Sequence, residues 1–78
     1  METGTSNIDK RVVGYVVAAI NEFAKTYNLT VREASNYLKR YKGLDFLAEH
    51  YEAEHLLSLE DSVQDLARVC RNQGGEII

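Results

Sequence analysis

The side chains able to do chemistry gather in the second half of the chain, where Glu49, His50, Glu52, Glu54 and His55 crowd one short stretch and Cys70, the single cysteine, follows. Imidazoles among carboxylates suggest a metal site. One face of a helix presents two ligands when they are roughly three or four residues apart, and the zinc-protease pattern puts Glu directly after its first His. Here His50 and His55 are five apart and Tyr51 follows His50, so no metal site is expected. A nucleophilic cysteine needs an exposed thiolate beside a base, whereas Cys70 falls in an apolar stripe and reads as a buried structural residue. Glu60, Asp61 and Asp65 are expected on the solvent side of their helix, and Gly74-Gly75 lacks the Lys and Ser/Thr of a phosphate loop and follows a helix. No catalytic residue and no cofactor are assigned, and the chain is expected not to be an enzyme.

Two surfaces could instead bind. Glu49, Glu52, Glu54 and His55 form an acidic segment whose crowded charges a cationic protein partner would relieve. Arg32, Ser35, Asn36 and Lys39 share one side of another helix, in a Leu29-Thr30-Val31-Arg32-Glu33-Ala34 context like the opening of helix-turn-helix units. Residues 1–43 carry seven basic and four acidic groups; residues 44–78 carry two basic and eight acidic. The overall charge of −3 is a poor basis for phosphate binding unless dimerisation concentrates the basic faces, which makes nucleic acid the less favoured partner.

The elements that would position these residues are helices. With 78 residues the chain is one domain near the lower size at which a single core suffices, and 45% apolar with 27% charged residues is ordinary globular composition. Val12, Val13, Val16, Val17, Ala19, Ile20, Phe23, Ala24 and Tyr27 fall within one helical arc, with a cap expected near Asn7 or Asp9 and a stop at Asn28. Thr30 with Glu33 forms a capping box for a second helix that turns Val31, Ala34, Leu38 and Tyr41 inward, and Gly43 is read as its left-handed stop. A third helix opens at Leu44 or Asp45, with a bend near Tyr51. Ser58 with Asp61 caps a fourth, whose stripe is Leu59, Val63, Leu66, Ala67 and Cys70 and whose end is Gly74-Gly75.

The expected architecture is therefore all-α, a compact single-domain bundle of about four short helices. A flexible leader at 1–7 precedes a helical domain at 8–75, and an apolar tail at 76–78 contains Ile77 and Ile78. The longest apolar run, Tyr15 to Ile20, is far short of the roughly 20 residues of a membrane span. With a lone cysteine and no signal-peptide pattern at the start, a cytoplasmic location is expected and no membrane association.

From Tyr37-Leu38-Lys39-Arg40-Tyr41-Lys42-Gly43-Leu44-Asp45-Phe46-Leu47 through His50 to Ser58, and on to Asp65-Leu66 and Cys70-Arg71-Asn72-Gln73-Gly74-Gly75, the chain resembles a small uncharacterised bacterial family of short helical proteins. Families of this domain-of-unknown-function type open with an apolar helix and a Leu-Ser/Thr-x-x-Glu-Ala turn, matched here by Leu29 to Ala34. Their genes often lie beside ADP-ribosyltransferase-like proteins. The resemblance implies a non-enzymatic interaction module, the antitoxin-like partner of a bacterial toxin, with a homodimer also open. The alternative is a dimeric helix-turn-helix DNA-binding regulator.

Overall fold

The computed structural model describes residues 10–76; the expected leader, the cap at Asn7 or Asp9, and Ile77 and Ile78 lie outside the described residues. Within them the chain is all-helical: α1 (Lys10–Thr26), α2 (Val31–Arg40), α3 (Gly43–Glu49), α4 (Tyr51–Glu54) and α5 (Leu59–Asn72). The expected third helix is two, because His50 leaves helical geometry at φ −111° and ψ 24°. α3 lies at the centre of the packing, against α1, α2 and α5, and carries α4 at its end.

Local signals set most boundaries. The Thr30 Oγ1 accepts from the Glu33 amide at 3.0 Å, and the Glu33 carboxylate accepts from the Thr30 amide at 2.8 Å. Ser58 caps α5 by accepting from the Asp61 amide at 3.1 Å. At the ends of α1 and α5 the stop is a Schellman motif. Asn28 at φ 56° brings the Leu29 amide to the Ala24 carbonyl at 2.8 Å, and Gly74 at φ 96° brings the Gly75 amide to the Cys70 carbonyl at 2.8 Å.

The core comprises Ala19, Phe23, Ala24, Ala34, Leu38, Leu47, Val63, Leu66, Ala67 and Cys70. Tyr37 stacks on Phe23 at 5.8 Å between ring centres, and Tyr41 follows at 4.9 Å from Tyr37. Gly75 abuts both tyrosines, since a Cβ there would stand 2.6 Å from the Tyr37 hydroxyl and 2.9 Å from the Tyr41 ring. The closing Gly-Gly is thus a packing site as well as a helix stop.

Two expectations need correction. The left-handed residue after α2 is Lys42, at φ 71°, and not Gly43. Gly43 is glycine for another reason: it is buried at the start of α3, and a Cβ would lie 2.8 Å from Leu38 Cδ2 and 3.1 Å from Cys70 Sγ. Val13, Val17 and Val31, assigned inward, are exposed. α1, about 26 Å long by helical rise, outruns the roughly 15 Å of α2, so its first turns lack a neighbour on that side.

Leu66→Asp puts a charge at a site with no solvent access and should unfold the protein, a loss above about 4 kcal/mol. Gly43→Ala should cost about 1–3 kcal/mol through overpacking. Val16→Asp, at a half-buried position, should cost less than Leu66→Asp, and Lys25→Ala at an exposed one should change little. Urea denaturation of the four variants checks this order, and a Gly43→Ala protein as stable as the parent would contradict the close approach.

Candidate functional site

The acidic segment divides where the chain turns from α3 into α4. Glu49, Glu52 and His55 are exposed as expected, but Glu54 is buried, with 6% of its surface accessible. Its place on the expected partner-binding surface is corrected for a geometrical reason: four residues of helix cannot turn every side chain outward, and Glu54 lands on the face that meets α5. Asp65 is likewise drawn in from its expected solvent side, its side chain 23% exposed and paired with Arg68 at 3.0 Å.

A polar cluster forms around these two acids. Ser62 has no solvent access, and its hydroxyl donates to the Glu54 carbonyl at 3.3 Å. A hydroxyl has one proton, so in the 2.5 Å contact between Tyr15 and Ser62 the phenol is the donor. The Tyr15–Ser62–Glu54 chain joins α1, α5 and α4. Burial pushes the Tyr15 phenol above its ordinary range. Glu54 rises from 4.5 to about 7, first because burial disfavours the carboxylate and next because the Asp65 carboxyl hydrogen-bonds and repels it. Glu54 Oε1 is buried without a hydrogen-bond partner.

An aromatic run extends the cluster to the surface. Tyr51 meets Tyr15 edge to face at 5.7 Å, and His55 stacks on Tyr51 at 4.4 Å and 10°. His55 Nδ1 donates to the Tyr51 carbonyl at 2.7 Å, on an exposed ring. His50 turns the other way, onto Phe46 at 4.9 Å. Leu56 and Leu57, just beyond α4, are 78% and 40% exposed.

The remaining candidates separate in space. Among the described residues no three of His, Cys, Asp and Glu converge as a metal-binding group. Cys70 is buried against Gly43, and burial pushes its thiol up to about 11. On α2, Arg32, Asn36 and Lys39 are exposed while Ser35 is half-buried. Between the end of α1 and the start of α5 lies an open groove of about 470 Å³ with Glu22, Glu60 and Asp61 on its walls. Sequence reasoning missed Ser62, Tyr15 and this groove: all depend on how α1 and α5 register, and only the polarity of Ser62 within an apolar stripe hinted at one of them.

Ser62→Ala should cost about 1–3 kcal/mol, because the Tyr15 hydroxyl loses its partner and the Glu54 carbonyl loses a donor. Thermal melts of Ser62→Ala and Tyr15→Phe should show the serine change to be the larger, and equal stability to the parent would remove the cluster from the account. Cys70 should resist alkylation at neutral pH in the native protein and react on unfolding, as mass spectrometry can follow.

No curated protein and no solved structure matches the chain. A family model described as a protein of unknown function, DUF3791, matches residues 14–73, which take in α2 to α5, most of α1 and every residue of the polar cluster. The chain belongs to the DUF3791 family.

Proposed function

We propose that this protein is a non-enzymatic interaction module, the antitoxin-like small partner of a bacterial ADP-ribosyltransferase-like toxin, acting in the cytoplasm. The observation that carries the reading is Leu56, an aliphatic side chain 78% exposed at the end of α4, flanked along the chain by Glu49, Glu52 and His55. An apolar anchor with acidic neighbours is how an interface combines a desolvated centre with a polar rim and charge complementarity. The partner face takes Glu49, Glu52, His55 and Leu56, and omits Glu54. The buried Cys70 and a Ser62 hydroxyl bonded to a phenol and a backbone carbonyl favour a binding role over a nucleophilic one. The choice of toxin rests on the family resemblance in the sequence. No helix among the described residues is long and apolar enough to cross a membrane.

The exposed Arg32, Asn36 and Lys39 keep a DNA-binding dimer as the second reading, against which the net charge of −3 argues.

With the adjacent gene's product as titrant, Leu56→Asp should weaken binding about tenfold or more, and Glu52→Lys should slow association and flatten its salt dependence, both at unchanged melting temperature. Calorimetry and stopped-flow kinetics measure these. Parental binding by both variants would move the interface elsewhere, and salt-dependent DNA affinity lost in Arg32→Ala with Lys39→Ala would promote the regulator.

A further inference from the structure

We propose that Glu54 is a proton-operated latch: neutral, it holds α4 against α5, and ionised, it releases α4 together with the Glu52, His55 and Leu56 face. The importance of that face rests on the function proposed above; the latch itself belongs to the isolated chain.

Little else holds α4. Four residues are too few for a self-supporting helix; its N-terminus has no side-chain cap, and at its C-terminus only the exposed His55 ring bonds back, to the Tyr51 carbonyl. Its ties to the rest of the molecule are the Ser62 hydroxyl on the Glu54 carbonyl, the edge contact of Tyr51 with Tyr15, and the Glu54 carboxyl against Asp65. The last depends on charge. A neutral carboxyl can donate its proton to the Asp65 carboxylate, whereas two carboxylates in the same place share no proton and repel. Burial adds to the effect, because Oε1 is shut off from solvent and has no hydrogen-bond donor to stabilise a negative charge.

The surroundings offer limited relief. From α5, Asp65 opposes ionisation and Arg68 favours it, but the guanidinium is already engaged with Asp65. Ser62 lies close enough to lower the Glu54 proton affinity somewhat, but its one proton is given to the Glu54 backbone carbonyl. From α1 comes the Tyr15 phenol, itself pushed up by burial and bonded to Ser62. On the segment itself His50 is turned to Phe46 and His55 to Tyr51. The closed form therefore holds its proton up to about pH 7, whereas in a released, solvated segment Glu54 would lose it near 4.5. Because the closed form has the higher value, proton binding favours closure fully below 4.5, and the preference is lost as pH rises towards 7.

Hydrogen exchange by NMR, corrected for the intrinsic pH dependence of exchange, tests this on the full chain. The probes are the Glu54 and His55 amides, which bond to the His50 and Tyr51 carbonyls, with α5 amides as reference. Protection of the α4 amides relative to α5 should fall at least tenfold between about pH 5 and about pH 8, from the difference in proton affinity. Glu54→Gln should abolish that dependence and leave α4 protected at the higher pH. Asp65→Asn should move the midpoint down and keeps the test decisive if the Gln variant folds poorly. A flat parental profile, or an unchanged pH dependence in either variant, would overturn the latch. If the latch holds while Leu56→Asp binds the adjacent gene's product like the parent, the proposed function fails and the latch stands.

Discussion

A serine hydroxyl with no access to solvent has to find its partners inside the protein, and those that Ser62 finds belong to two other helices. It receives a proton from Tyr15 on α1 and gives one to the Glu54 carbonyl on α4, from its own place on α5. Apolar contacts between helices tolerate sliding and rotation, but a buried hydrogen-bonded chain fixes register. The direction of α4 follows from it. With the Glu54 backbone tied to α5 its carboxyl faces Asp65, and Glu52, His55 and Leu56 remain outside. The surface offered to a partner is thus set by a contact beneath it.

The apolar interior achieves close packing mainly by small residues. Ala19, Ala24, Ala34 and Ala67 alternate in the core with Phe23, Leu38, Leu47 and Leu66, letting helix backbones approach while the large side chains fill the spaces between. Gly43 is the extreme case, because α3 begins where no Cβ fits between Leu38 and Cys70. A second point of this kind is Gly75 against Tyr37 and Tyr41. Both glycines bring the end of one helix to the face of another, so the chain's turns are also its tightest packing sites.

What could be read from the sequence was what depends on neighbours in the chain. The Thr30–Glu33 box, the Ser58 cap, the stops at Asn28 and Gly74, and the stripe Val63, Leu66, Ala67, Cys70 are local, and each is where its residue types place it. The bend expected near Tyr51 falls at His50. Residues whose roles depend on distant parts of the chain were misread. Gly43 has the composition of a turn glycine, and only the position of Leu38 and Cys70 makes it a packing glycine. Glu54 looks like its neighbours Glu52 and Glu49, and only its rotation towards Asp65 and Ser62 separates them. Val13 and Val17 satisfy the periodicity of a core helix, but periodicity carries no information about the length of the helix opposite.

The central claim is that one carboxyl of the acidic segment is buried beside another and the rest are not. It is tested most directly by a carbon-detected NMR titration of the glutamate side chains, following each carboxyl carbon against pH. The account predicts a Glu54 midpoint near 7 in the folded chain. A Glu54 midpoint near the ordinary 4.5 would show that its carboxyl is in water, and would contradict both the inward turn of α4 and the division of the surface derived from it.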